Sequence, residues 1–481
     1  DVAAMVVFEQ ASNGGEEVSA KGESPLTNLD QMFNYSSDAL RRWGEAKEKN
    51  GGRLSWIGRF NYTFDQKYIA EFSFRYDGNT LFPDGKRWGF FPSVSAAWRI
   101  SQESFMEPTS DWLSNLKLRA SWGKLGNNSI GNYEWQALYG SGYNYAFNSN
   151  KSNGLAMTTF SNYALEWEET AITNIGLDFG VLNNRLNGTI EVYDKKTDGI
   201  LYRPTLPESL NQFTSPLQNL AGVNNKGLEI TLGWNDRVGD ISYSVSGNFT
   251  YNKNKIKRLA DGVTNRITGE PIEMPYVDKA RLGGSTSPVV RLTEGGSMGD
   301  LYINRDFKRD NNGYIYLDAK TGLPSMVETE YKKIGSLLPK VNLGWRNSFT
   351  YKGLRLNILL SGRFGGLVVS NTQAFLDRCG VSEYSAQLRQ AGGVTINNRN
   401  VSAKDYLGIV AAGTGEGDHY VYEATNIRLQ EVSLEYTLPK KWLYNIADVT
   451  LGLIGNRSIL NWLRHLPVHS ILVWIISCNL A

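Results

Sequence analysis

The chain is poor in the residues that most often carry chemistry. It has two cysteines, Cys379 and Cys478, and three histidines, His419, His465 and His469. Two thiols exclude a disulfide framework or a cysteine-based zinc site. Two of the histidines lie close to the C-terminus, which leaves little for a histidine-based triad. Excess charge of one sign is also missing. Lysine and arginine total 50 against 48 acidic residues, so there is no concentrated basic surface of the kind that nucleic acid requires. No apolar stretch approaches the ~18 residues of a transmembrane helix. The longest clean run is Ile471 to Ile476. The opening Asp1-Val2-Ala3-Ala4 has no signal-peptide character. A membrane location therefore has to rest on strands.

What is abundant suits strands. Glycine contributes 49 residues, tyrosine 25 and tryptophan 13, a mix that favours strands, turns and amphipathic interfaces. From Arg53 the residues Leu54, Trp56, Gly58, Phe60, Tyr62 and Phe64 alternate with Arg53, Ser55, Ile57, Arg59, Asn61 and Thr63. After the tight link Asp65-Gln66, Tyr68, Ala70, Phe72, Phe74 and Tyr76 alternate with Lys67, Glu71, Ser73, Arg75 and Asp77. The pattern returns near Leu116–Trp122, Leu186–Val192, Leu228–Trp234, Ile241–Tyr251, Val341–Tyr351 and Leu354–Leu360. In all it predicts about thirteen strands, near 2–10, 53–64, 67–77, 88–100, 115–125, 168–180, 184–199, 223–236, 240–252, 338–351, 354–364, 424–438 and 446–455.

Many of these strands run to about ten residues, against five or six in soluble sheets. Short links at Asp65-Gln66, Asn183-Asn184, Gly239-Asp240 and Lys352-Gly353 alternate with long ones over 126–165, 201–222, 253–337 and 365–423. Short turns on one rim and long loops on the other describe an outer-membrane barrel. Aromatic residues near strand ends suit its interfacial girdles. A soluble β-sandwich also alternates, but strand length and loop asymmetry favour an all-β, antiparallel transmembrane barrel with long extracellular loops. Such barrels close on an even number of strands, so the odd count predicts a partial barrel.

Several motifs then resemble the SusC/RagA family of TonB-linked outer-membrane proteins. They are Phe74-Arg75-Tyr76-Asp77-Gly78-Asn79-Thr80-Leu81-Phe82 with Arg87-Trp88-Gly89-Phe90-Phe91-Pro92, and Leu116-Lys117-Leu118-Arg119-Ala120-Ser121-Trp122-Gly123 with Gly126-Asn127-Asn128. Leu165-Glu166-Trp167-Glu168, Asn174-Ile175-Gly176-Leu177-Asp178-Phe179, Asn225-Lys226-Gly227-Leu228-Glu229, Leu338-Pro339-Lys340 and Tyr436-Thr437-Leu438-Pro439 follow in order. The resemblance implies a twenty-two-stranded barrel in the bacterial outer membrane that imports glycan or oligopeptide fragments. It also implies a SusD-like surface lipoprotein as lid and energy from TonB–ExbB–ExbD through a plug and TonB box outside this chain. Residues 1–455 are expected to be part of that barrel. Residues 456–481 lack alternation and, from 465, lack charge. They are expected to be an aberrant apolar tail, from a frameshift or truncation, or a short apolar helix, with the closing strand missing. The competing functions are a passive porin or structural barrel and a soluble glycan-binding β-protein.

No catalytic or cofactor-binding constellation is expected. Glu166, Glu168 and Glu169 flank Trp167 but read as solvated acids at a strand start rather than a glycosidase pair. Asp306 to Asp318 looks like a calcium loop, but setting Gly313 at its sixth position puts Lys308 first and Ala319 last, so no metal is expected. Tyr133, Trp135, Tyr139, Tyr143 and Tyr145 are the candidate ligand contacts, because aromatic faces stack on sugar rings and the interleaved Asn amides bond hydroxyls.

Overall fold

The computed structural model describes residues 1–22, 42–147, 150–152, 154–203, 213–259, 276–281, 288–412, 417–439, 441, 447–460 and 471–480. Its main feature is one fourteen-stranded sheet in which strand order follows chain order. The strands are β1 (Val2–Gly22), β2 (Arg42–Phe64), β3 (Tyr68–Asn79), β4 (Trp88–Arg99), β5 (Leu113–Asn127), β6 (Glu168–Val181) and β7 (Leu186–Tyr202). They continue as β8 (Gln218–Val238), β9 (Ile241–Arg258), β10 (Val341–Tyr351), β11 (Leu354–Phe364), β12 (Asn426–Thr437), β13 (Ala447–Leu460) and β14 (Ile471–Leu480).

Thirteen strands finish by residue 460 and agree with the thirteen read from alternation. The fourteenth differs from that reading. Ile471–Leu480 is not a helix here but a strand that pairs antiparallel with β13, from Asn456↔Ile471 to Ala447↔Leu480. Alternation could not reveal it, because its first six residues are all apolar and period two needs polar neighbours. Residues 461–470, with His465 and His469, lie outside the described residues. No helix among those described is long and apolar enough to cross a membrane.

The short links are tight turns. Asp65 and Gln66, Leu182 to Asn184, Gly239, and Lys352 with Gly353 all take positive φ, the conformation that closes a hairpin without splaying its strands. Contacts group the chain into two compact units. The first comprises Asp1–Ala96, Ser121–Ile172 and Thr197–Ala221. In it β1 pairs with β2 from Val2↔Tyr62 onward, and β2 with β3 from Phe64↔Tyr68 to Arg53↔Asn79. This register puts Val6, Phe8, Trp56, Phe60, Phe72 and Tyr76 on one face, all exposed, and the exposed Trp88 and Phe90 join it by packing on Tyr76 and Phe74.

The second unit comprises Ala97–Ala120, Thr173–Lys196 and Gly222–Ala481. Here Tyr243, Phe349, Leu356, Leu434 and Leu453 form a cross-strand row over β9 to β13. Beside it, on the opposite face, Ser348 Oγ donates to Asn357 Oδ1 at 2.7 Å and Asn357 Nδ2 donates to Ser433 Oγ at 2.9 Å, with Ser433 fully buried. Each unit thus leaves an apolar face open, and the second sets a hydrogen-bonded polar face behind its own. A soluble monomer rarely exposes so much contiguous apolar area. A lipid-facing wall requires it.

Candidate functional site

In the first unit the separated motifs meet. Phe82 is fully buried and stacks on Trp167 at 4.9 Å, and Phe91 meets the same indole edge-on at 5.4 Å. Trp167 Nε1 donates to the Arg87 carbonyl at 3.2 Å. Room for Phe91 comes from two glycines: a Cβ on Gly89 or Gly126 would sit 2.4 or 2.1 Å from its ring. Asn219 clamps the segment, accepting from Glu166 N at 3.0 Å and donating to the Glu166 and Gly199 carbonyls at 2.8 and 2.9 Å.

The three acids beside Trp167 are committed to partners. Glu166 pairs with Lys86 at 2.7 Å and Glu169 with Lys124 at 2.8 Å. Glu168 accepts from Asn127 Nδ2 at 3.3 Å and from Leu201 N at 3.2 Å. They fasten the base of a loop.

That loop carries the five aromatic candidates and divides them. Tyr133 takes φ +53° at its base. Trp135 packs on Tyr163 at 5.2 Å, its Nε1 is buried without a partner, and its carbonyl accepts from Asn162 N at 2.8 Å. Next to them Glu134 is ion-paired with Arg203, which also donates to the Ser215 carbonyl at 2.6 Å. Trp135 is thus packed within the loop, while Tyr133 is half-buried and its carbonyl accepts from Gln136 N at 2.9 Å. Tyr139 lies in the strand Leu138–Ser141, paired with Leu155–Thr159, and Tyr145 in Tyr145–Phe147, paired with Asn150–Ser152. Tyr139, Tyr143 and Tyr145 are exposed at 68%, 46% and 57%, so their rings are free for contact.

In the second unit the polar face of β5, β6 and β7 carries a charge network that alternation alone did not single out. Arg119 Nε donates to Asp178 Oδ1 at 3.3 Å and its other arm pairs with Glu191. Lys117 reaches Asp178 at 3.4 Å, Thr189 Oγ1 donates to Asp178 at 3.1 Å, and Asn174 donates to Glu191. A Cβ on Gly176 would lie 2.7 Å from Arg119 Cζ, so this glycine makes space for the guanidinium. The signal was present as Lys117, Arg119, Asp178 and Glu191 on the polar face, but registering three strands needs coordinates.

The described parts of this unit's long segments carry further elements. Strands Val277–Arg281, Val289–Leu292, Asp300–Phe307 and Met326–Ser336 form a four-stranded sheet. Its buried Arg291 lies between the rings of Tyr276 and Tyr331, 3.7 and 3.6 Å from their centroids. Three helices follow: α1 (Asn371–Cys379), α2 (Glu383–Gln390) and α3 (Ala403–Val410). Each starts on a serine whose side chain caps it, Ser370, Ser382 or Ser402. Those serines were the sequence signal for the helices. Phe307, Leu407 and Val410 form a core with Ile315, Met326, Leu388 and Tyr406 packed against it.

Within α1, Asp377 is buried and accepts from Gln373 Nε2 at 2.8 Å and from Ser382 Oγ. Burial, and then the Asp377 carboxylate beside it, push the Tyr420 phenol well above its ordinary range. His419 is ringed by Tyr384, Tyr406 and Tyr420. The calcium-like segment is a pair of turns. Asp310 Oδ1 accepts from Asn312 N and Tyr314 N, each at 2.9 Å, and Asp318 Oδ1 accepts from Lys320 N at 3.0 Å and Thr321 N at 2.8 Å. Those hydrogen bonds, from Thr321 foremost, hold the Asp318 carboxyl below its usual range. No cluster of three or more metal-ligating side chains occurs among the described residues.

Known proteins share this architecture. The chain is 28% identical over 475 residues to TonB-dependent receptor P3 of Formosa agariphila, covering 95% of this chain and 45% of that protein. It is 28% identical over 445 residues to TonB-dependent receptor SusC of Bacteroides thetaiotaomicron, covering 89% and 42%. It thus spans a little under half the length of the curated relatives it matches. The solved structure of the RagAB peptide transporter superposes with a TM-score of 0.74 at 23% identity, over 95% of this chain and 49% of that one. A family of receptor barrels, described as TonB dependent receptor-like, beta-barrel, matches residues 24–347. With a lipid-compatible apolar face, a polar lining, tight turns and long folded loops, the chain belongs to this TonB-dependent receptor β-barrel family of the bacterial outer membrane.

Proposed function

We propose that this chain supplies part of the channel wall and the outer loops of a TonB-dependent nutrient importer for glycan or oligopeptide fragments. One observation carries the reading: the described parts of the long links form a four-stranded sheet, short hairpins and helices, and one link presents Tyr139, Tyr143 and Tyr145 outward. A passive pore needs only a wide opening. A receptor needs ordered side chains to hold cargo. The relatives named SusC and RagAB peptide transporter are consistent with uptake of this kind. The importer would work with a SusD-like surface lipoprotein as lid, and would draw energy from TonB–ExbB–ExbD through a plug and TonB box outside these residues.

In this reading the exposed tyrosines stack on sugar rings or on apolar peptide side chains, while Tyr133 and Trp135 hold the loop in shape. Glu166, Glu168 and Glu169 are structural, and the protein carries cargo without altering it. Residues 1–455 are receptor barrel, and sequencing the gene past residue 455 would decide between a frameshifted tail and a native last strand.

The test is uptake in a strain lacking the receptor and complemented with it. Labelled oligosaccharides and oligopeptides are supplied in turn, with and without TonB. Uptake of one class should need TonB. Replacing Tyr139, Tyr143 and Tyr145 together by alanine should raise the half-saturating concentration about tenfold or more, at roughly 0.5–1.5 kcal/mol per aromatic contact. Uptake that ignores TonB would favour the passive barrel. An unchanged half-saturating concentration would sink the loop's assignment to cargo.

A further inference from the structure

The apolar face of the first unit contains a notch. Register places Gln10, Leu54 and Gly78 side by side, then Ser12 beside Gly52, all on the face that carries Phe8, Trp56 and Tyr76. A cavity of about 340 Å³ opens there, lined also by Thr80, Arg87 and Trp88 and, from the alternate positions, by Ala11, Asn79 and Arg53, whose guanidinium pairs with Glu9. Gly78 seats its wall and Gly52 leaves it open. The Trp88 ring lies over Gly78, where a Cβ would sit 2.9 Å from it, and stacks on Tyr76 at 4.7 Å. Gly52 forms the floor, and a Cβ there would meet only Thr80 Cγ2 at 3.7 Å and the Ala11 carbonyl at 3.8 Å. The Thr80 hydroxyl oxygen accepts from Gly52 N at 2.9 Å and holds the rim in place.

The notch is two-sided in chemistry. Leu54 and the Trp88 indole make one side apolar. Gln10, Ser12, Thr80 and Arg87 make the other polar, with Arg87 ion-paired to exposed Asp84 at 2.8 Å. Its height matches this division. From Phe64, at the short turn, to Leu54 β2 climbs ten residues. At about 3.3 Å per residue and a tilt of roughly 40°, that is about 25 Å, the height of a barrel's apolar band. Short turns mark the periplasmic rim, so the notch sits at the outer-leaflet interface.

We propose that this notch is a retained-lipid site. One outer-leaflet lipid lays an acyl chain across Gly52 and Leu54 against the edge of Trp88, and sets its headgroup on Gln10, Ser12, Thr80 and Arg87. The surface around the notch is the one that already faces the bilayer, so the occupant arrives by lateral diffusion within the leaflet. The site is independent of the transported cargo.

Gly52→Leu fills the notch without a backbone clash. Gly247→Leu is the control: Gly247 lies beside Trp345 on the apolar face of the second unit, and a Cβ there meets nothing closer than 3.7 Å. The receptor carrying this chain is purified in mild detergent from its own outer membrane and analysed by native mass spectrometry. Heat-modifiable gel mobility reports folding of each variant. One lipid adduct should persist on the wild type and on Gly247→Leu, and fall about tenfold on Gly52→Leu, with Gly52→Ala between them. No adduct on the folded wild type, an adduct with the mass of detergent, or an equal adduct on folded Gly52→Leu would each overturn the proposal. If Gly52→Leu fails to fold, Gly52→Ala decides on the same criterion.

Discussion

At the scale of single residues, the fold is most sensitive where a ring depends on a missing side chain. Phe91 occupies space that Gly89 and Gly126 leave open. Gly126→Ala should therefore displace the ring from Trp167 and destabilise the folded protein by about 1–3 kcal/mol, the usual effect of overpacking. Gly52→Ala, with no neighbour closer than 3.7 Å to its Cβ, should change stability by less than about 0.5 kcal/mol. The midpoint temperature of the heat-modifiable gel shift measures both. Tyr420 supports a pH prediction. Its phenol titrates higher when folded than when unfolded, because burial and then Asp377 disfavour the phenolate. Above pH ~10 the unfolded chain therefore holds fewer protons than the folded one, and stability falls as pH rises. Tyr420→Phe should flatten that alkaline loss in the helical segment, read as hydrogen exchange of α1 between pH 9 and 11. An unchanged slope would mean that another group controls it.

At the scale of elements, the hairpins were legible and the loops were not. Asp65-Gln66 and Lys352-Gly353 stand out because alternation stops on both sides of them, and the structure gives all four residues positive φ. Gly353 is the most constrained. A Cβ there would sit 2.8 Å from the Thr437 carbonyl, at φ +87°. Gly353→Ala should cost about 1–2 kcal/mol or more, with faster exchange at the turn end of β10 and β11 than elsewhere in the sheet. Equal exchange throughout would show that the turn does not fix the register. The loops resisted reading for a physical reason. Phe82, Phe91 and Trp167 meet across 85 residues of chain, and nothing local marks them as partners. The same holds for Arg119 with Asp178 and Glu191. Among the five aromatic candidates, composition could not separate Trp135, committed to Tyr163, from the outward Tyr139.

At the scale of the whole molecule, an exposed apolar face beside a polar lining has a direct readout. The protein should need detergent to stay monodisperse and should migrate differently on gels before and after boiling. A monomer stable in plain buffer would remove the membrane reading altogether. The order of the sheet has a separate consequence. Because each strand pairs with its neighbours in the chain, every second link lies on the same rim. Removing or duplicating two consecutive strands leaves every remaining loop on its own side of the membrane and every residue on its own face. Removing one strand would send all later receptor loops to the periplasm. Genetic change in such a wall is therefore counted in pairs, and variation in receptor size should accumulate by whole hairpins, while the outer loops diversify without altering that parity.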